Sequence, residues 1–205
     1  MRRNHNKKNK LKLIFLTALI SVIIDQAIKI WIKTNMFLGQ YFEIFDWFVI
    51  YFTENNGMAF GLEFGGEIGK LILTLTRIFI VVFAIRYLFK MQLDKYKKPV
   101  IICFGLILGG AIGNIIDCLM YGVVFDDSYN NVASIFPQEG GYSSIFYGKV
   151  VDMFYFPIIS TEIPSWVPFF GGNNFTFFKP VFNFADSCIS VGAISLILFF
   201  RKDLR

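Results

Sequence analysis

Several apolar stretches of this chain carry ionisable or amide side chains where charge is costly. Asp25 and Lys29 stand at i, i+4 in one stretch, and Asn114 and Asp117 at i, i+3 in another, so each pair shares a helix face. Arg77 interrupts a third stretch, and Asp186 is the single charge in VFNFADSCISVGAISLILFF, Val181–Phe200. A Ser–His–Asp triad needs a histidine in the fold, and the one histidine, His5, lies in a basic tail. A Ser–Lys dyad on Lys29 lacks a serine in a partner motif, and cysteine catalysis lacks its base. Cys103, Cys118 and Cys188 form no Cys-x-x-Cys pair, and an odd number in apolar segments argues against a disulfide framework. No HExxH helix or His/Cys cluster offers a protein-bound zinc site. Carboxylates remain. Two close carboxyl groups in a low-dielectric cleft titrate apart. One then serves as general base on water while its protonated partner polarises a carbonyl, which is peptide hydrolysis without metal, cofactor or covalent intermediate. Each group also has a structural reading: Asp25–Lys29 as an ion pair, Asn114 as an interhelical hydrogen bonder, Asp186 as a helix cap, Arg77 as a snorkelling cation.

The elements that must position these groups follow from composition. The 205 residues are 55% hydrophobic and 19% aromatic, more apolar than a soluble domain of this size needs. Stretches near 13–31, 71–89, 100–121 and 183–200 approach the roughly 20 residues that cross a bilayer. The sequence therefore predicts an α-helical integral membrane protein with four spans in one domain, residues 1–205, and outer loops near 32–70 and 122–182. The N-terminal tail, the link between spans two and three and the C-terminal tail hold 13 of the 20 basic residues and two acids. The two loops hold four basic and ten acidic residues. By the positive-inside rule both termini are cytoplasmic and the loops face outward. The net charge of +5 thus reflects topology rather than a nucleic-acid footprint. A basic start before LIFLTALISVII also looks like a secretory signal, but the apolar run continues to Trp31 without a small-residue cleavage site, so an uncleaved span is expected.

In the first loop Phe45, Trp47, Val49 and Tyr51 alternate with Asp46, Phe48, Ile50 and Phe52, predicting strands, with a turn at Asn55–Gly57. The second loop has a polar middle, Asp126–Gly148, expected above the membrane. Its later part holds Pro157, Pro164, Pro168 and Pro180 among aromatics, which predicts an irregular segment. The two loops together predict a small outward-facing, β-containing subdomain. With that topology Asp25, Arg77, Asn114, Asp117 and Asp186 fall at one depth, just beneath the outer surface. Gly105, Gly109 and Gly113, at i, i+4, i+8, form a stripe on which a neighbouring helix can pack closely.

At these residues the chain resembles the lipoprotein signal peptidases, signal peptidase II. Five blocks match in order: DQAIK at Asp25–Lys29, NNGMAF at Asn55–Phe60, GGAIGNIID at Gly109–Asp117, VVDMF at Val150–Phe154 and FNFADSCISVG at Phe182–Gly192. The resemblance implies a four-span aspartyl endopeptidase of the bacterial inner membrane, with its site at the periplasmic face. Its substrates would be prolipoproteins, cut on the N-terminal side of a cysteine already carrying diacylglycerol. It implies Asp152 with Asp186 as the catalytic pair, and Asp25, Lys29, Asn55, Gly57, Asn114, Asp117 and Asn183 as residues that support the site or contact substrate. Membrane lipids are the other expected partners, no cofactor is expected, and the chain is read as a monomer.

Two departures stand out. The family has Arg after the Asp that ends the third block, where this chain has Cys118; Arg77 is expected to replace that charge. The family's G-x-V-x-D motif occurs twice, as GVVFD at Gly122–Asp126 and GKVVD at Gly148–Asp152. Asp152 is preferred because MFYF continues the aromatic pattern toward FNFAD. A small transporter, whose buried acids would line an ion path, is the rival class. It predicts polar residues through the whole membrane depth, whereas the inner halves of spans three and four are nearly free of charge. A catalytically dead lipid-binding scaffold is a further rival, one that would tolerate loss of either carboxylate.

Overall fold

The computed structural model describes residues 2–56, 66–166, 168–169, 171–177 and 179–202. Helix α1, Arg2–Asn35, buries Ile14, Ala18, Ser21, Asp25, Lys29, Ile32 and Lys33 along one side. Leu16, Leu19, Ile20, Ile23, Ile24 and Trp31 are exposed on its other sides. The outer surface is apolar while part of the inner stripe is charged, the inverse of a soluble amphipathic helix and the pattern expected against lipid.

Helices α2, Gly66–Lys90, and α3, Lys98–Ile116, follow, with a short 3₁₀ turn at Leu93–Lys95 between them. Helix α3 runs on through a π-helical turn, Asp117–Tyr121, and a last α turn, Gly122–Val124. With α1, these are, among the described residues, three helices long and apolar enough to cross a membrane. The fourth helix, α4, spans Phe184–Leu198. Its 15 residues fall short of the 183–200 span expected, because Asn183 is a strand-like cap and the chain leaves the helix at Phe199.

The glycines of α3 set its contacts. A Cβ on Gly105, Gly109 or Gly113 would stand 2.6–2.7 Å from Thr17 Cβ, Ala18 O or Asp25 Oδ2, so the predicted stripe faces α1. Gly110, on the other side, lies against the Ala185 carbonyl of α4. Helix α3 is thus the central post between α1 and α4.

Strands β1, Tyr41–Phe45, β2, Phe48–Asn55, β3, Val150–Tyr155, and β6, Val181–Phe182, form one antiparallel sheet in the order β1-β2-β3-β6. The expected strand run in the first loop is real but broken. Asp46 and Trp47 make the hairpin turn, and the two halves pair Tyr41 with Tyr51 and Glu43 with Val49. Of the turn expected at Asn55–Gly57, Asn55 ends β2 and Gly57 lies outside the described residues.

The proline-bearing segment also departs from expectation. It contains a second hairpin, β4, Ile159–Glu162, with β5, Asn174–Phe177; Pro157, Pro164, Pro168 and Pro180 all lie outside these strands. The polar segment Asp126–Gly148, an insertion between the two G-x-V-x-D motifs and expected above the membrane, is seated on the end of α1. The Ala133 N–H donates to Lys33 O, the Leu38 N–H donates to Ser128 O, and Ser128 and Ala133 are buried.

Candidate active site

Helix α4 begins with a reciprocal cap. Asn183 Oδ1 accepts the Asp186 N–H at 2.9 Å, and Asp186 Oδ2 accepts the Asn183 N–H at 3.4 Å. Asn183 is therefore the N-cap and Asp186 the third residue of the helix, answering free N–H groups at the helix start. The cap leaves the Asn183 amide hydrogens directed elsewhere. Its Nδ2 donates to Asp152 Oδ1 at 2.7 Å and to Asn114 Oδ1 at 3.1 Å.

Asp152 arrives from the sheet. Strand β3 pairs it with Thr53 and pairs Val150 with Asn55, whose Nδ2 donates to Asp152 Oδ2 at 3.3 Å. Burial, then the nearby Asp186 charge, push the Asp152 carboxyl up to about 7, against the pull of the Asn183 and Asn55 hydrogen bonds and of Lys29. The two carboxyl groups, from β3 and α4, are thus close enough to feel each other's charge.

Beneath them lies a buried ammonium. Lys29 Nζ contacts Asp117 Oδ2 at 2.7 Å and Asp25 Oδ2 at 2.9 Å, and donates to Asn114 Oδ1 at 2.9 Å. The orientation of the Asn114 amide follows from charge: its oxygen must face the ammonium, so its Nδ2 donates to Asp186 Oδ1 at 2.8 Å. Asp25 reaches the helix start directly, accepting the Ala185 N–H at 2.9 Å. Asp117 binds β3 through the Val151 N–H at 3.3 Å. One connected network therefore holds α1, α3, α4 and β3 around the Asp152–Asp186 pair.

The profile of the signal peptidase (SPase) II family matches residues 17–137 and 140–201. The chain belongs to the signal peptidase II family. A lipoprotein signal peptidase of Porphyromonas gingivalis is 48% identical over 93% of this chain and 84% of its own length. Those of Amoebophilus asiaticus and Pelodictyon phaeoclathratiforme are 36% and 33% identical, over 92% and 94% of this chain and 77% and 92% of theirs. A bacterial membrane enzyme solved by the in meso method at 2.3 Å aligns with a TM-score of 0.61 at 26% identity, covering 93% of this chain and 88% of that one. This signal peptidase II is a membrane aspartic peptidase with several apolar helices and a small antiparallel sheet.

The structure brings together eight of the residues singled out in sequence: Asp25, Lys29, Asn55, Asn114, Asp117, Asp152, Asn183 and Asp186. Gly57 lies outside the described residues. Arg77 Nη1 lies 3.7 Å from the Sγ of Cys118, the residue that stands where the family has its Arg. Asp126 is held in the insertion, where it accepts the Ser134 N–H. Sequence reading passed over Gln26, whose Nε2 donates to Asp117 Oδ1 at 2.9 Å and whose Oε1 accepts from Tyr121 Oη at 3.1 Å. Its place inside DQAIK was the available signal. Lys33, Glu54 and Lys149 were also passed over; with the first span ended at residue 31, Lys33 read as loop although it stands at i+4 from Lys29.

Proposed function

We propose that this signal peptidase removes the signal peptide of diacylglyceryl-modified prolipoproteins, cleaving on the N-terminal side of the lipidated cysteine with Asp152 and Asp186. The observation that carries the assignment is the Asn183 bridge, which ties one carboxyl to the backbone of the other while leaving the pair coupled. In this reading the pair holds one proton, placed on Asp152, whose carboxyl is raised to about 7 by burial and by Asp186. Asp186 takes a proton from water, and the water oxygen adds to the scissile carbonyl while Asp152 protonates the carbonyl oxygen. Collapse of the tetrahedral intermediate returns the proton from Asp186 to the leaving amine and restores the proton on Asp152. Asp25, Lys29, Asn114, Asp117, Asn55 and Asn183 hold the pair in place.

The same proposal sets the protein in the bacterial inner membrane as a monomer, a single domain of residues 1–205 with four spans, cytoplasmic termini and the site at the periplasmic face. The charge asymmetry of tails and loops supports this orientation.

The deciding experiment is cleavage of a purified diacylglyceryl prolipoprotein by wild type and by Asp126→Asn, Asp152→Asn and Asp186→Asn, each checked for folding. Loss confined to the last two supports the pair. An inactive Asp126→Asn beside an active Asp152→Asn would move the catalytic carboxyl to the first G-x-V-x-D motif. Full activity in both Asp152→Asn and Asp186→Asn overturns the carboxylate mechanism.

A further inference from the structure

A second charged cluster lies outside the site. Lys33 follows Lys29 by one turn on the same face of α1, and like it is fully buried. Its Nζ contacts Glu54 Oε1 at 2.7 Å and donates to Ser128 Oγ at 2.8 Å. The rings of Phe125 and Tyr142 lie 5.3 Å and 4.9 Å from the ammonium. The other Glu54 oxygen meets Lys149 Nζ at 3.0 Å, and the Lys149 N–H donates to Tyr142 Oη at 2.7 Å. Glu54 thus joins a residue of α1 to the entrance of β3, and Ser128 and Tyr142 of the insertion close the cluster.

The position of these groups on the sheet gives the cluster a consequence. Glu54 precedes Asn55 on β2, and Lys149 stands three residues before Asp152 on the approach to β3. In the ladder Thr53 pairs with Asp152, Glu54 with Val151 and Asn55 with Val150. Alternation turns Glu54 to the face opposite Thr53 and Asn55. The ion pair therefore grips from behind the strand segment whose front carries the Asn55 amide that donates to Asp152. A slip of β2 by one residue would turn Asn55 away.

We infer that Lys33 and Glu54 are positioning residues for Asp152, and that the insertion from Asp126 to Gly148 serves the reaction by supplying Ser128 and the Tyr142 ring, which with Phe125 complete their buried pair. This rests on the proposal that Asp152 is catalytic. The groups facing Asp152 are Asp186, Asn183, Asn55 and, at longer range, Lys29. Of these, Asn55 is the one the Lys33–Glu54 pair controls.

The test measures kcat and KM separately, and the pH profile of kcat/KM, for Glu54→Gln, Lys33→Met, Ser128→Ala and Asp152→Asn on a purified diacylglyceryl prolipoprotein. The expected result for Glu54→Gln is a kcat at least tenfold lower with KM within twofold, and a limb due to Asp152 moved to higher pH, because a displaced Asn55 no longer favours the carboxylate. Ser128→Ala, which removes a single hydroxyl, should show the same shift in smaller degree, and it carries the test should the charge variants fail to fold. A merely structural role would reduce the amount of folded enzyme and leave the limb where it is. Wild-type kcat and an unmoved limb in folded Glu54→Gln or Ser128→Ala, beside an inactive Asp152→Asn, would overturn the inference while sparing the proposed mechanism. An active Asp152→Asn would instead overturn that mechanism and the inference with it.

Discussion

Asn183 donates its side-chain N–H to Asp152 Oδ1 at 2.7 Å. Because the same residue caps α4, the helix start and the sheet carboxyl cannot move independently. The two roles are separable by substitution. Serine caps a helix nearly as well as asparagine but has no amide to reach Asp152. Asn183→Ser is expected to lose activity by tenfold or more, at a stability cost of about 1–3 kcal/mol from the acceptors on Asp152 and Asn114 left without their donor. Asn183→Ala should lose both, with about 1 kcal/mol more from the missing cap. Thermal unfolding in detergent beside cleavage assays separates them; equal activity of Asn183→Ser and wild type would show that the bridge is only a cap.

Asp152 makes stability depend on pH in an uncommon direction for a carboxyl. Its folded-state value of about 7 lies above the ordinary 3.8, so between those values the folded protein binds more protons than the unfolded chain. The stabilisation from this group is complete below about pH 4 and is lost as pH rises through 7. The full difference is about 4 kcal/mol by linkage. Asp152→Asn should therefore flatten the fall in melting temperature between pH 5 and pH 8. If wild type and variant decline in parallel, the Asp152 carboxyl is not raised.

Lys29 is expected to be the least replaceable residue of the network. It is fully buried between Asp25 and Asp117, and removing it leaves two buried carboxylates facing each other. Breaking a buried ion pair in this way costs about 3–5 kcal/mol. Lys29→Met should fail to accumulate as folded protein or melt well below wild type. A Lys29→Met/Asp117→Leu double variant, which removes one charge of each sign, should recover part of the loss. Differential scanning fluorimetry in detergent measures both, and a double variant no more stable than the single one would mean that Asp117 is not the partner that matters.

The sequence exposed the charged network better than the architecture around it. Asp25, Lys29, Asn114, Asp117 and Asp186 were visible because an ionisable or amide group in an apolar run is costly, and several of them fall at one depth. Asp152 and Asn55 were not visible in that way. They sit on strands in loops where carboxylates and amides are common, and the ordered blocks were needed to find them. The β2–β3 register that brings them together is a long-range pairing, and local periodicity says nothing of it. The hairpin turn at Asp46–Trp47 was hidden because Trp47 fits the aromatic alternation as well as a strand residue does. Lys33 and Glu54 counted only among the charges of the first outer loop, and it is tertiary packing with the insertion that buries their side chains.

Gly110 tests whether helix spacing sets the site. A methyl there would press on the Ala185 carbonyl, one residue before Asp186, and backbone cannot swing aside as a side chain does. Gly110→Ala should push α4 from α3, lengthen the Asn114–Asp186 hydrogen bond and cost about 1–3 kcal/mol. Activity should fall further than stability alone explains, since displacement of the order of 1 Å at reacting groups is expensive. Wild-type activity in this variant would mean that α4 tolerates displacement without moving Asp186.

Arg77 and Cys118 form the last testable pair. The Arg77 guanidinium comes from α2 and reaches the Cys118 sulfur, so the cation arrives at the place where the third sequence block ends. If the charge is what matters and its origin is not, Arg77→Leu should lower kcat by about tenfold. Moving the charge back, as Arg77→Leu/Cys118→Arg, should restore at least half of that loss on a logarithmic scale. Cys118→Arg alone should be worse than wild type, because Cys118 is buried and a second cation would face Arg77. The four variants form a double-mutant cycle measured by prolipoprotein cleavage, with coupling expected well above 0.5 kcal/mol for groups in contact. Additive effects, or full activity of Arg77→Leu, would show that Arg77 packs beside Cys118 without serving the site.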